Sequence, residues 1–324
     1  METLEVLRRK IRTAHDLLSV VKTMKSLAAL NIRQYEGAAD SMNEYASVIA
    51  QGWQGFFHNR PHLHINSKKG ETVYLVLGSD QGMCGQFNEV IMQYALSFIS
   101  NEIELTHPGS PPPGIDREVG SGINGKVISS SILSEESPEI AAPHLWAAGE
   151  RVWNGMEDMG VEEHFSLPSS IGAISDLMVD IVERLALLRE SRPVDKFIIF
   201  YNHLLRAGTY EPGLDQILPL DHGWHDQHRR KKWPTRCFPM LGIHGYLLFE
   251  TLFQQHIFAS IYKAFAHSLA SENSARLAAM QAAEKNIIEM EEDLQGSFRE
   301  TRQNAITAEL LDIISGFEAI KDAQ

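Results

Sequence analysis

A glycine-rich turn at residues 78–85, GSDQGMCG, is the first segment whose residue types suggest chemistry. It follows an apolar run and precedes a helix-like run, which is the position of a phosphate-binding loop. The turn lacks the Lys-Ser/Thr pair of a P-loop, and its glycines do not follow the spacing G-x-G-x-x-G. We therefore expect the glycines to permit tight turns and close packing, and Asp80 to cap a helix or turn.

Three histidines, His222, His225 and His228, recur every third residue in DHGWHDQH, with Cys237 further along the chain. A zinc site needs three or four such ligands that converge on one point. The basic run RRKK at 229–232 follows directly, which is more typical of a solvated loop that could contact lipid headgroups. The sequence favours the loop over a metal site, and we expect no metal and no other cofactor.

Catalytic arrangements are not evident in the sequence. No Ser/His/Asp or Cys/His constellation stands out, and no paired carboxylates have a plausible pocket. The two cysteines, Cys84 and Cys237, are too few for a disulfide scaffold and fit a reducing compartment. We expect that the chain by itself is not an enzyme.

The composition is that of a soluble folded protein. The 324 residues are 44% hydrophobic and 22% charged, and the mean hydropathy is −0.19. A formal net charge of −13 argues against a nucleic-acid partner. The apolar runs are too short to span a bilayer, and the first residues do not resemble a secretory signal. We expect a cytosolic protein of a prokaryote.

The N-terminal flank, residues 1–60, precedes the first proline and carries one apolar seam. Its positions alternate at spacings of three and four residues, which over eight heptads predicts a coiled-coil helix of roughly 80 Å. Lys25 is the single charged residue in the seam. The seam comprises Leu4, Leu7, Ile11, Ala14, Leu18, Val21, Lys25, Ala28, Ile32, Tyr35, Ala39, Met42, Ala46, Ile49, Trp53 and Phe56.

The C-terminal flank, residues 245–324, is also helical by pattern and would reach roughly 110 Å. Its seam is less pure, with Glu284, Glu291 and Thr301 among the apolar positions. Its first turns, 247–265, are apolar on more than one side and should be buried. Two such flanks on one central domain must pair antiparallel, so the longer helix should project beyond its partner as a single helix. That end is apolar, with Ile313, Ile314, Phe317 and Ile320, as is typical of an interface.

The central region, residues 61–244, has an α/β pattern. Strands are predicted at 73–77, 195–204 and 214–220, and an amphipathic helix over Ser169–Glu190. Residues 106–143 are rich in proline, glycine and serine and indicate an exposed loop or insertion.

Three segments resemble a known family. They are VVKTMKSLAALNIRQYE, then LGSDQGMCGQFNEVI, and in the C-terminal helix LASENSARLAAMQAAEKN with RQNAITAELLDIISGFEA. The chain resembles the gamma subunit of the F-type rotary ATP synthase, and outside 106–143 the likeness spans the whole chain. The resemblance implies an antiparallel coiled coil of the terminal helices attached to a Rossmann-like α/β domain. It implies a rotor shaft that couples ion flow to ATP synthesis or hydrolysis.

The resemblance also implies partners and a location. One copy would lie inside a ring of three alpha and three beta subunits, with its α/β domain against the epsilon subunit and the membrane ring of c subunits. The chain would be a peripheral subunit on the cytoplasmic face of a prokaryotic cell membrane. The opening METLE and the atypical central segment resemble the alternate, sodium-type F-type ATPase. The coupling ion, proton or sodium, stays open because the membrane ring selects it.

By the same resemblance, five residues contact the alpha/beta ring. Met24 and Lys25 would face an acidic loop of the beta subunits, and Arg276, Gln303 and Thr307 would make polar contacts with the ring. Ile313, Ile314, Phe317 and Ile320 would form a C-terminal bearing. A lysine that lies along the coil and an ordinary solvated helix face for Gln303 and Thr307 are the alternatives.

Two other classes of function remain open at this point. One is a nucleotide-binding α/β enzyme with a coiled-coil dimerisation stalk, which requires stoichiometric binding of ATP or NAD by the isolated chain. The other is a structural coiled-coil adaptor, which would not explain a resemblance that also includes the α/β region.

Overall fold

The computed structural model describes residues 3–59, 70–106, 143–168, 170–205, 209–219 and 244–321, with single residues between 228 and 242. The helices are α1 (Leu4–Asn59), α2 (Phe87–Thr106), α3 (Glu150–Met156), α4 (Ala173–Ser191) and α5 (Gly245–Lys321). The strands are β1 (Glu71–Leu77), β2 (His144–Ala148), β3 (Glu163–Phe165), β4 (Val194–Leu204) and β5 (Tyr210–Leu218), and Glu157–Met159 form a 3-10 turn. Apart from its two ends, the segment 106–143 lies outside the description.

The five strands form one sheet in the order β3-β2-β1-β4-β5. The first four are parallel to their neighbours, and β5 joins the edge antiparallel to β4. The parallel strands alternate with helices, which is the arrangement of a doubly wound α/β domain. The predicted fold class, a coiled coil on a Rossmann-like domain, is confirmed.

The sheet buries both faces, and strand alternation divides the side chains between them. Tyr74 and Val76 of β1 point toward α2 and α3, where they pack with Ile91 and Val152. Val73, Leu75 and Leu77 of the same strand face the other way. On that side they share a core with α4 and with both terminal helices, through Met178, Ile181, Tyr35, Ile261 and Phe265.

Helices α1 and α5 pack antiparallel along their lengths, and we call this pair the coil. Lys25 forms an ion pair with Glu284, and the Asn31 side-chain amide donates to Asn273 at 3.3 Å. Toward the other end of α1, the Tyr45 hydroxyl donates to Gln255. All sixteen predicted seam positions of α1 are buried or half-buried, and so are the α5 positions from Leu277 to Ala305 that continue the heptads. The coil therefore confirms the predicted periodicity.

The most enclosed part of α5 lies further along the helix than predicted. Tyr246 and Leu247, in the first turn, are exposed, and most residues from 248 to 258 are half-buried. Full burial is concentrated at 259–275, where small residues predominate in FAHSLASENSA. Small side chains let α5 approach the sheet and α1 at the same time, so this segment is covered on several sides although it is less hydrophobic than the first turns.

Helix α5 extends beyond the end of α1. It has 77 residues, and α1 has 56. At 1.5 Å per residue the difference is about 30 Å of helix. Residues 306–315 are all exposed, and we call them the projecting end. The predicted single-helix extension is therefore confirmed. The side chains of Phe317 and Ile320 fall outside the description.

Candidate functional site

The turn after β1 is closed by side-chain hydrogen bonds rather than opened for a ligand. The backbone N–H of Ser79 donates to Asn88 Oδ1 at 2.9 Å, and Asn88 Nδ2 donates back to Ser79 Oγ at 2.9 Å. A Cβ at Gly78 would lie 2.1 Å from a methyl group of Val152, and Gly149 has φ +107° with the Ser79 backbone only 2.9 Å from its ideal Cβ. Close packing of α2 and α3 on the turn thus requires Gly78, as predicted, and also Gly149, which the sequence had not singled out.

Asp80 places its own carboxylate where an anion would bind. Its Oδ1 accepts the backbone N–H of Glu150, the first residue of α3, at 3.1 Å. Its Oδ2 accepts the N–H of Leu167, after β3, at 3.0 Å. Asp80 therefore caps α3 and not α2, the helix that the turn precedes and that the prediction concerned. A helix N-terminus stabilises a negative charge, and at α3 the chain itself supplies that charge through the Asp80 carboxylate.

The crevice at the carboxyl ends of β1 and β4 is where a doubly wound sheet binds ligands. Here α5 covers it. Ser271 Oγ donates to the Asn202 carbonyl at 2.9 Å, and Asn202 Nδ2 donates to the Phe87 carbonyl at 3.1 Å. Cys84 and Phe87 also pack against Ala275 of the same helix. The ligand position of this fold is thus a junction between the sheet and the coil.

Arg276 ties this junction together from within. Its Nη2 lies 2.6 Å from Glu272 Oε1 and donates to the Gln81 carbonyl at 3.4 Å. Glu272 is 5% exposed. Burial raises the pKa of its carboxyl to about 7, although Arg276 acts in the opposite direction. The pair thus joins the coil to the glycine-rich turn.

The five predicted ring contacts do not form one site. Lys25 pairs with Glu284 inside the coil, and Met24 beside it is half-buried. Arg276 has partners within the chain, as described above. Gln303 and Thr307 are exposed, and the Thr307 hydroxyl donates to the Gln303 carbonyl at 2.9 Å. Gln303 lies about 40 Å from Arg276 along α5, at 1.5 Å per residue.

Exchanging the charges of Lys25 and Glu284 tests whether Lys25 acts within the coil alone or also contacts the beta subunits. Lys25→Glu places a second carboxylate beside that of Glu284. We therefore expect the free energy of unfolding to fall by about 1–2 kcal/mol. The double variant Lys25→Glu/Glu284→Lys should recover most of it, measured by thermal unfolding with circular dichroism. Lys22→Glu, at an exposed position one turn away, is the control.

The coupled ATPase activity of the assembled complex separates the two roles of Lys25. A double variant that regains stability but not coupled ATPase activity indicates that Lys25 also contacts a partner. Recovery of both indicates a role within the coil alone. Failure of the exchange to restore stability would contradict the ion pair.

Apolar side chains crowd the projecting end of α5. Ile313 and Ile314, predicted as bearing residues, are 57% and 52% exposed. Three neighbours were not singled out from the sequence, and they are similarly exposed: Ile306, Leu310 and Leu311. The sequence feature that could have identified these three residues is the apolar content of α5 beyond the last residue that α1 can cover. Exposed apolar surface of this extent marks a protein interface.

A second exposed apolar stripe runs along α1. Leu17, Val20 and Leu27 are each about half exposed, and with Met24 they follow spacings of three and four residues, so they lie on one side of the helix. The stripe lies outside the predicted seam because each of its positions precedes a seam residue by one, which places it beside the seam. It extends the predicted contact at Met24 over about 15 Å of α1, at 1.5 Å per residue.

His222 and His225 of the DHGWHDQH segment, and the basic run 229–232, lie outside the described residues. His228 is described and is buried. Within the described ranges, no group of three or more histidine, cysteine or acidic residues could hold a metal ion. Within the same ranges, no helix combines the length and the apolar character needed to cross a bilayer.

A family model described as ATP synthase matches residues 3–110 and 116–320. The fold is similar to a chain in the cryo-EM structure of the Euglena gracilis mitochondrial ATP synthase, OSCP/F1/c-ring, at 15% identity, 98% coverage of this chain, 94% of that chain and a TM-score of 0.57. A rotor structure from the same organism matches at 13% identity, with coverages of 94% and 98% and a TM-score of 0.55. The Tetrahymena thermophila mitochondrial ATP synthase, central stalk/c-ring, matches at 17% identity, with coverages of 82% and 99% and a TM-score of 0.51.

Proposed function

The chain belongs to the gamma-subunit family of the ATP synthase, and on that premise we propose that it is the central rotor shaft of an F-type ATP synthase or ATPase. It couples ion flow through a membrane ring to ATP synthesis or hydrolysis in a catalytic ring. The observation that carries the proposal is the projecting end of α5. A stiff coil rooted on a sheet domain ends in one exposed apolar helix, which is a suitable shape for insertion into a surrounding ring.

The catalytic ring would consist of three alpha and three beta subunits around one copy of this chain. The projecting end, with Ile313 and Ile314, would turn in an apolar sleeve together with Phe317 and Ile320, which follow it in the chain. Met24, Lys25, Gln303 and Thr307 would meet the ring lower on the coil. Because one asymmetric shaft makes different contacts with each beta subunit, its rotation shifts the population of nucleotide-binding states at each site in turn.

The sheet domain would lie at the other end of the complex, against the epsilon subunit and the ring of c subunits. The chain would then be a peripheral subunit at the cytoplasmic face of a prokaryotic membrane. The stiffness needed for torque is supplied by α1 and α5, which pack together along nearly all of α1.

The shaft would be non-catalytic. Asp80 caps α3, and α5 covers the crevice at the ends of β1 and β4. A nucleotide at this position would have to displace the chain's own contacts. These observations favour the rotor over the alternative of a nucleotide-binding enzyme with a dimerisation stalk.

Co-purification with native neighbours tests the proposal. The tagged chain should recover alpha- and beta-type subunits at three copies each per shaft, together with ATPase activity. Isolated chain should bind no stoichiometric ATP or NAD by calorimetry. Recovery as a lone homodimer that binds nucleotide would refute the rotor role and support the enzyme.

A further inference from the structure

Three aromatic rings connect the sheet to the coil beside the junction. His203 of β4 and His267 of α5 have ring centroids 6.1 Å apart. Both lie against Tyr201, at 4.2 Å for His203 and 6.4 Å for His267. Tyr201 is fully buried, and its hydroxyl donates to Asp215 Oδ2 of β5 at 2.7 Å. The two imidazoles thus face each other across the boundary between sheet and coil.

Gly213 of β5 provides the space for this arrangement. It pairs with Tyr201 in the β4–β5 register. A Cβ at Gly213 would lie 2.3 Å from His203 Nε2, so any side chain there would displace the ring. The position of His203 over the edge strand therefore depends on a residue without a side chain.

Charged groups from three elements, α1, α5 and β5, surround the histidine pair. Lys263 of α5 lowers the pKa of both imidazoles, and Asp215 raises both, while Glu211 raises that of His203 and Asp40 of α1 raises that of His267. Burial is the largest influence on the pKa of each ring, and it outweighs the carboxylates that raise it. The pKa of both histidines is therefore lowered from the ordinary value. Both rings are therefore neutral near pH 7.

We propose that the contact between the coil and the β4–β5 edge of the sheet is a pH-sensitive joint that loosens when His203 and His267 become protonated. Protonation would bring two imidazolium ions together beside Lys263, at a boundary where Asp215 is already engaged by Tyr201. This inference concerns the regulation of the fold and goes beyond the rotor role. It would make the stiffness with which the shaft is rooted depend on pH.

The direction of the effect follows from linkage. A histidine whose pKa is lowered on folding contributes stability that is complete above its unfolded pKa, near 6.5. That contribution is lost as the pH falls through the lower, folded-state pKa. Acidification therefore weakens this joint. Both rings are half-buried on opposite sides of the boundary, so separation of the coil from the sheet increases the solvation of both charges.

Hydrogen exchange measured by mass spectrometry on the full chain tests the joint. Between pH 7.5 and 5.5, after correction for intrinsic exchange, protection of 197–204 and 259–271 should fall relative to the distal coil at 280–300, because protonation of either ring favours opening of the joint. In His203→Gln/His267→Gln this selective loss should disappear. His15→Gln, at an exposed position on α1, is the control and should behave as the unaltered chain.

A gentler variant keeps the proposal testable if the double variant does not fold. Lys263→Gln removes the nearest cation, so imidazole NMR titration should show the pKa of both histidines rising. The acid-induced loss of protection at the joint should become smaller. Lys285→Gln, exposed on the same helix, is the matched control. Equal losses at the joint and the distal coil, or a selective loss unchanged in the variants, would overturn the proposal.

Discussion

Deleting residues 313–324 is expected to weaken assembly of the rotor with its catalytic ring by tenfold or more, while the remaining chain keeps its stability. The described part of the deleted segment is exposed and packs against nothing in this chain. Ile313 and Ile314 are more than half exposed, so burial of each in a ring would contribute about 1 kcal/mol, and the Phe317 segment beyond adds to this. Each 1.4 kcal/mol corresponds to about a factor of ten in affinity.

Two measurements check this result. The first is the concentration dependence of complex formation, or the coupled ATP synthesis of the reconstituted complex. The second is urea unfolding of the isolated chain, which should be unchanged. A matched control is Ile313→Leu/Ile314→Leu, which keeps apolar surface and should assemble nearly normally. Unfolding of the sheet domain upon truncation would contradict the view of α5 as an independent projecting helix.

The coil was the part of the fold most open to prediction. Its heptads are local in sequence, so the seam from Leu4 to Phe56 identified the buried side of α1 correctly, including Lys25. The same spacing placed Glu284 in the α5 seam, and the structure pairs it with Lys25. Periodicity determines which side of a helix is buried, but it does not say where along α5 the sheet will be met.

The sheet was only partly predictable. β1 and β4 are apolar enough to be recognised, but the strand predicted at 214–220 begins four residues earlier, at Tyr210, and ends at Leu218. β2 has five residues and β3 has three. Strands this short carry no clear alternation. Their order beside β1 depends on packing between distant segments, and so do the bonds from Asp80 to residues 70 and 87 positions away. Such long-range contacts have no signature in a single sequence.

The junction shows why a resemblance does not replace geometry. Arg276 was assigned to the catalytic ring, yet its guanidinium pairs with Glu272 and reaches the glycine-rich turn. The spacing of four residues between Glu272 and Arg276 was a readable signal for this pair. What could not be read was the burial of both residues, because the sheet and α1 provide it. A contact of Arg276 with the ring therefore stays a prediction, and its internal role can be tested separately.

Arg276→Ala is expected to destabilise the isolated chain by about 3 kcal/mol at pH 8, because it leaves the Glu272 carboxylate buried without its cation. Burial already raises the pKa of Glu272 to about 7, and Arg276 opposes that rise. Without Arg276 the pKa rises further, so at pH 6 the carboxyl is protonated and the charge is not buried. A raised folded pKa means that stability falls as the pH increases from the unfolded value toward the folded one. The penalty should therefore be smaller at pH 6 than at pH 8.

Urea unfolding of the full chain at pH 6 and pH 8 measures this difference. Arg299→Ala, at an exposed position on the same helix, should change stability little at either pH. Glu272→Gln/Arg276→Ala removes both charges and should lose the dependence on pH that the single variant gains. If Arg276→Ala were as stable as the unaltered chain at both pH values but failed to assemble, Arg276 would act as a ring contact alone. Because Arg276 also donates to the Gln81 carbonyl of the turn, a loss of stability that depends on pH locates its role at the junction.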